Sequence, residues 1–259
     1  MSPSAASFSP PWGPSLSSER FTGNARPSPA TLDRLRRRYE LSQSAVDSLG
    51  RLLEALAAEP DPPTAISDPE RAVEIHVADS LAALELRQVA KARRLVDIGA
   101  GAGFPGLGLA AALPDCRVDL VEATRRKCEV IERLAAAAEL ENVRVVAARA
   151  EEWAGGEGAT SYGVVTARAL APLSVLVEYA APLLIVGGAL VAWKGVRNPA
   201  EERTGDQAAG LLGLSTGRAH RSAPFEHAHS HHLHCYTKLS PTPARFPRRP
   251  GIAVKRPLA

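Results

Sequence analysis

Apolar positions along this chain follow two different periods, and the switch between them divides it. From Thr31 the spacing is helical. A second helical stretch, Ala45 to Ala58, repeats Val46, Leu49, Leu52, Leu53 and Leu56 along one face. Pro60, Pro62 and Pro63 end it. Asp68-Pro69-Glu70 reads as a new helix start, with Asp68 as N-cap and proline at the first helical position. Val73, Val77 and Leu81 then share a face. From Arg94 short apolar runs alternate with longer amphipathic ones. Strands are expected at Leu95 to Ile98, Val118 to Val121, Val143 to Ala147, Gly163 to Ala167, Ala189 to Trp193 and Leu233 to Leu239. Helices are expected at Pro105 to Leu113, Thr124 to Leu140 and Leu173 to Leu184. Strands separated by helices of this length predict an α/β fold with a doubly wound, mostly parallel sheet.

Composition narrows the class. The 259 residues suffice for one sizeable core with appendages. No apolar run approaches the ~20 residues of a membrane span, and the N-terminus lacks the pattern of a secretory signal. Cys116, Cys128 and Cys235 are too few for a disulfide framework and read as reduced thiols of a cytoplasmic protein. Residues 1–30, rich in Ser, Pro and Gly, are expected to be a disordered extension. Residues 31–92 form the helical N-terminal region, 93–240 the ligand-binding α/β domain and 241–259 a basic tail. The net charge of +3 permits a nucleic-acid partner without requiring one. Its distribution says more. Arg34, Arg36, Arg37 and Arg38 cluster near the front and read as the wet face of a helix.

The chemistry concentrates at DIGAGAGFPG, Asp97 to Gly106. Four glycines in eight residues, between an expected strand and helix, let backbone approach a nucleotide-like cofactor with no Cβ in the way. Gly101, Gly103 and Gly106 spell the dinucleotide fingerprint. Asp97, Gly99, Gly101 and Gly103 spell D-x-G-x-G-x-G, the first motif of S-adenosylmethionine methyltransferases. A carboxylate at the strand end suits the methionine ammonium or an ordered water and would repel a pyrophosphate. The methyltransferase reading is therefore preferred, with an NAD-dependent oxidoreductase of Rossmann type as the alternative.

Ligands of such sheets sit at the carboxyl ends of the strands. The second expected strand ends in Glu122, placed to accept both ribose hydroxyls. The third leads to Arg149-Ala150-Glu151, where the Ala150 backbone or the Glu151 carboxylate can meet an adenine. The fourth leads to Arg168, expected at the rim of the same cleft. No hydride-site acid or base is evident by spacing.

DIGAGAGFPG, then VE, RAEEW, TARALAPL, WKG and PARFPRRPGIAVKRPL, preceded by EIHVADSL, resemble the bacterial small-subunit ribosomal RNA guanine-N7 methyltransferases. The resemblance runs from about Ile66 to the C-terminus. It implies a Rossmann-like class I methyltransferase fold, S-adenosylmethionine as cofactor, and 16S ribosomal RNA or the small ribosomal subunit as partner. The cofactor-contacting positions it carries over are Gly99, Phe104, Glu122, Ala150, Glu151 and Arg168. Asp97 and Gly101 join them on the motif. Pro60-Asp61-Pro62-Pro63 and the histidine-rich stretch from His227 to His234 depart from the family pattern.

Guanine N7 has an in-plane lone pair and no proton to lose, so no catalytic acid or base is named. Arg245, Arg248, Arg249, Lys255 and Arg256, set among prolines, are expected to contact RNA phosphates from a stiff, extended tail. Phe104, Trp193 and Tyr162 are candidates to stack on a base. His227, His229, His231, His232, His234 and Cys235 lack a spaced Cys pair, so they read as a surface strand or loop rather than a zinc module. A monomer is expected.

Overall fold

The computed structural model describes residues 28–66, 68–226, 228 and 230–259. The front of the chain is helical. Helix α1 spans Pro29–Tyr39 and α2 Gln43–Ala58, the latter capped by Ser42 Oγ, which accepts from Ala45 N at 3.1 Å. Helix α3, Pro69–Ala72, starts as the sequence predicts, with Asp68 Oδ1 accepting from Arg71 N at 2.7 Å. The chain then widens into π-helical turns over Val73–Ala78, returns to α over Asp79–Leu81 (α4), tightens to 3-10 over Ala82–Glu85 and ends in α5, Arg87–Ala90.

Strands and helices alternate from there: β1 Arg94–Ile98, α6 Gly106–Ala112, β2 Arg117–Glu122, α7 Arg125–Ala137, β3 Val143–Ala147, α8 Ala150–Ala154, β4 Tyr162–Arg168, α9 Leu173–Ala180, β5 Leu184–Lys194, α10 Pro199–Leu211, β6 Arg218–Ser222, β7 His231–Thr237 and α11 Ile252–Lys255. The seven strands lie in the order β3-β2-β1-β4-β5-β7-β6. All neighbours from β3 to β5 pair in parallel, and β7 runs antiparallel to both β5 and β6. The order reverses beside β1, so the crevice between the ends of β1 and β4 is the switch point where such sheets take ligands.

Strand alternation sorts the core onto two faces. Leu95, Val164, Ala189 and Val191 point toward α1, α2, α6 and α7. Val96, Ile98, Val165, Ala167, Leu190 and Ala192 point toward α8, α9 and α10. The helical front therefore shares one continuous core with the sheet.

Several elements differ from the sequence reading. The expected helix to Leu184 stops at Ala180, because β5 begins at Leu184 and runs through Gly187-Gly188. Helix α10 and edge strand β6 have weak periodicity, and the sequence did not reveal them. Tyr162 belongs to the core at the far end of the sheet. Its hydroxyl donates to Asp119 Oδ2 at 2.5 Å and accepts from Trp153 Nε1 at 2.8 Å, so it is unavailable to an RNA base. The expected extension at 1–30 falls outside the described residues except for its last three.

Candidate cofactor site

Alternation turns Asp97 inward, beneath the glycine turn. It is buried, with Oδ1 accepting from Thr166 Oγ1 at 2.8 Å and Oδ2 from Gly106 N at 3.0 Å. The second bond satisfies a first-turn N–H of α6. Asp97 thus ties β1, β4 and α6 together under the loop. Both carboxylate oxygens, expected to hold a ligand ammonium or an ordered water, are thus bonded to the protein.

Burial raises the Asp97 pKa to about 6, opposed by the bonds from Thr166 and Gly106 and by the Arg168 charge. A folded pKa above the unfolded one means that ionisation costs stability as pH rises from about 4 to about 6. Asp97→Asn can accept from Gly106 N through its amide oxygen and donate from its amide nitrogen to Thr166 Oγ1, and it does not titrate. Its stability relative to wild type is expected to climb by about 3 kcal/mol across that window and stay level above it. Denaturant unfolding at a series of pH values checks this, and a constant gap from pH 4 to 7 contradicts it.

The turn itself is bare backbone. Gly99 N and Ala100 N donate to Val121 O, at 2.8 and 3.2 Å. Gly99 has φ +65°, and a Cβ there would lie 2.5 Å from the Leu170 side chain. Gly101 has φ +60°, but a Cβ there would meet nothing closer than Gly99 O at 3.8 Å. At Gly101, then, the loop offers backbone to open space.

Glu122 ends β2 and gathers the rim. Its Oε2 accepts from Gly101 N at 3.0 Å and its Oε1 from Thr124 N at 2.8 Å. A carboxylate has about four acceptor positions, so capacity remains for ligand hydroxyls. Ala148 N donates to Glu122 O at 3.2 Å, bringing the end of β3 alongside. Ala150 opens α8 there. The neighbouring Glu151 accepts from Gly251 N through Oε1 at 2.8 Å and so holds the C-terminal segment, with acceptor capacity to spare. The expected adenine-side pair, the Ala150 backbone and the Glu151 carboxylate, thus stands together at the end of β3.

Arg168 also turns inward, which corrects its expected exposure at the rim. Its Nη1 donates to Ile75 O at 2.8 Å and to Asp79 Oδ2 at 3.1 Å. Its Nη2 lies 3.4 Å from His76 Nδ1. A guanidinium only donates, so Nδ1 accepts and Nε2–H faces Thr64 Oγ1 at 3.1 Å. Burial, then the Arg168 charge, lowers the His76 pKa to about 3 and keeps the ring neutral. That ring stacks on Phe104, with centroids 4.7 Å apart and planes 16° from parallel. Asp79 Oδ1 pairs with His231 Nδ1 at 2.9 Å, and Trp193 Nε1 donates to Asp79 O at 2.9 Å. The π-helical turns are thereby fastened to β4, β5 and β7. Phe104 and Trp193 are both buried in this cluster, which removes them as candidates for stacking on RNA.

His76 and Asp79 escaped the sequence reading. The signal was present as a histidine and an aspartate, three positions apart, inside the helical run EIHVADSL. His227 and His229 lie outside the described residues. His231 pairs with Asp79, and His232 places Nδ1 3.0 Å from Gly195 O. Among the described residues no group of three or more His, Cys, Asp or Glu is arranged to hold a metal.

The tail is docked rather than free and extended. Phe246 and Ala253 are buried against α8 and α9, and Gly251 is held at the rim by Glu151. Arg248 makes a two-pronged pair with buried Glu178, Nε to Oε1 at 2.6 Å and Nη2 to Oε2. It is an internal tie, so its expected phosphate contact is withdrawn. Arg245, Arg249, Lys255 and Arg256 remain exposed.

Comparison with known proteins agrees with this geometry. Residues 63–230 match the family described as rRNA small subunit methyltransferase G. The span begins close to where the resemblance was read and stops before the tail. A ribosomal RNA small subunit methyltransferase G of Chloroflexus aggregans is 44% identical over 75% of this chain and 82% of its own length. That of Staphylococcus saprophyticus is 34% identical over 75% and 82%. In fold, the chain is similar to a SAM-dependent O-methyltransferase of Thermotoga maritima (TM-score 0.52, 15% identity, 74% of this chain and 72% of that one). The S-adenosylmethionine-dependent methyltransferase SibL gives TM-score 0.52 at 14% identity, over 81% and 73%. The oxidoreductase alternative finds no support among these relatives. With a family match over more than half its length, the chain belongs to the rRNA small subunit methyltransferase G family.

Proposed function

We propose that this chain transfers the methyl group of S-adenosylmethionine to N7 of a guanine in small-subunit 16S ribosomal RNA. The observation that carries the reading is the glycine turn at the switch point, with Gly101 bare toward the cleft and Glu122 beside it. A nucleoside with a ribose fits that arrangement: open space over Gly101, spare acceptor capacity on Glu122, and the Ala150 backbone at the end of β3. Asp97 contributes from beneath, as a fixed negative charge above pH 6 and as the anchor of the loop.

When bound, the sulfonium cofactor supplies an electrophilic methyl group. The chain's own work is positioning. Glu122, held by Gly101 N and Thr124 N, fixes the ribose side. The stack of His76 on Phe104 holds the apolar end of the loop. Asp79, gripping Arg168 and His231, keeps the ends of β4 and β7 in register with it. Because guanine N7 carries no proton, no side chain here needs to act as a base. The exposed cations of the docked tail supply phosphate contacts, which makes RNA binding salt-sensitive. The reading places the chain in the cytoplasm as a monomer. Among the described residues no helix is long and apolar enough to cross a membrane.

Calorimetric titration tests the cofactor half of this reading. S-adenosylmethionine is expected to bind one to one and NAD not to bind. The reverse order of affinities would reinstate the dinucleotide reading of the same glycines.

A further inference from the structure

Helix α7 starts against the usual electrostatic rule. The N-terminal end of a helix carries partial positive charge and favours acids in its first turn. The first turn of α7 contains no acid and opens with Arg125, Arg126 and Lys127. Asp61 answers Arg126 in an ion pair. Arg125 and Lys127 make no side-chain hydrogen bond or ion pair among the described residues, and Arg125 is exposed. Folding alone gives no reason to keep cations there.

Their place in the fold supplies one. Thr124, one residue before α7, donates to Glu122, the carboxylate that also holds Gly101. Ala148 N meets Glu122 O, so exposed Arg149, the N-cap of α8, stands on the adjacent rim. Gly251, bound to Glu151 in the first turn of α8, brings the docked tail, with its exposed Arg249, Lys255 and Arg256, up to α8. Cations at the starts of α7 and α8 thus stand at the ends of β2 and β3, and Gly251 of the tail is bound beside them.

We infer that Arg125, Lys127 and Arg149 extend the tail into a phosphate-binding band that carries the RNA backbone across the β2–β3 edge of the cofactor site. The inference rests on the RNA-methyltransferase reading. It adds the path of the substrate over the protein. The partner is a polyanion with repeated phosphodiesters, because the cations are spread over separate elements.

The test compares wild type with the triple variant Arg125→Ala/Lys127→Ala/Arg149→Ala on small-subunit RNA. Filter binding is run across a salt series, with calorimetry for S-adenosylmethionine. The variant is expected to lose at least tenfold in RNA affinity and to show a salt slope shallower by about 2. Its cofactor affinity should stay within twofold of wild type. A second variant, Arg125→Glu, removes the conflict with the helix end, so its melting temperature is expected to rise while RNA affinity falls. RNA affinity and slope unchanged in both variants, with wild type methylating normally, would overturn the band alone. A wild type that neither binds nor methylates the RNA would overturn the functional reading and the band with it.

Discussion

Replacing Gly101 with arginine is expected to abolish S-adenosylmethionine binding in calorimetry while leaving a folded protein. The two effects separate because of where the glycine points. A Cβ at Gly101 has room, with its nearest neighbour at 3.8 Å, so the core is not disturbed. The positive φ of +60° costs a non-glycine residue about 1–2 kcal/mol, which a domain of this size tolerates. The guanidinium chain then fills the open space through which the cofactor approaches. Gly99 would make a poorer test, since a Cβ there runs into Leu170 and mixes packing damage with loss of the site. Wild-type affinity in a folded Gly101→Arg protein would place the cofactor elsewhere.

Asp79→Ala is expected to be the most destabilising single change at the site, by about 3 kcal/mol or more in denaturant unfolding. The Asp79 side chain is 7% exposed and its partner Arg168 17% exposed, so the pair lies largely out of solvent screening. Its removal leaves the Arg168 guanidinium with Ile75 O and His76 but no carboxylate paired to it directly, and it removes the bond between Asp79 and His231. The Trp193 bond goes to the backbone oxygen of residue 79 and survives the substitution. Cofactor affinity should fall as well, because the π-helical turns carry His76 against Phe104. A loss below about 1 kcal/mol, the range of exposed pairs, would show that the cluster is not the fastening described.

The sequence disclosed the parallel part of the sheet well. Its strands are short apolar runs with sharp ends, and β1 to β4 lie within one or two residues of their expected limits. The glycine turn was legible because its glycines serve conformation and approach, which composition alone displays. Side-chain direction was not legible. Asp97 and Arg168 are both strand-end polar residues and both were expected to face the ligand. Alternation and the need of buried N–H and carboxylate groups for partners turned them inward instead. Arg248 shows the same limit from the other side. A basic, proline-rich tail reads as solvated, and nothing near it in sequence announces Glu178, seventy positions away. Strand β6 and helix α10 were hidden because their polar residues face water on an edge, leaving little period to detect.

The central claim is methyl transfer from S-adenosylmethionine to guanine N7 in small-subunit RNA. Its most direct test is tritiated-methyl transfer to small ribosomal subunits lacking the modification, followed by nucleoside analysis. Label in 7-methylguanosine is the predicted result, and it fixes donor, substrate class and acceptor atom together. Label in a different nucleoside, or none despite bound cofactor, would contradict the account.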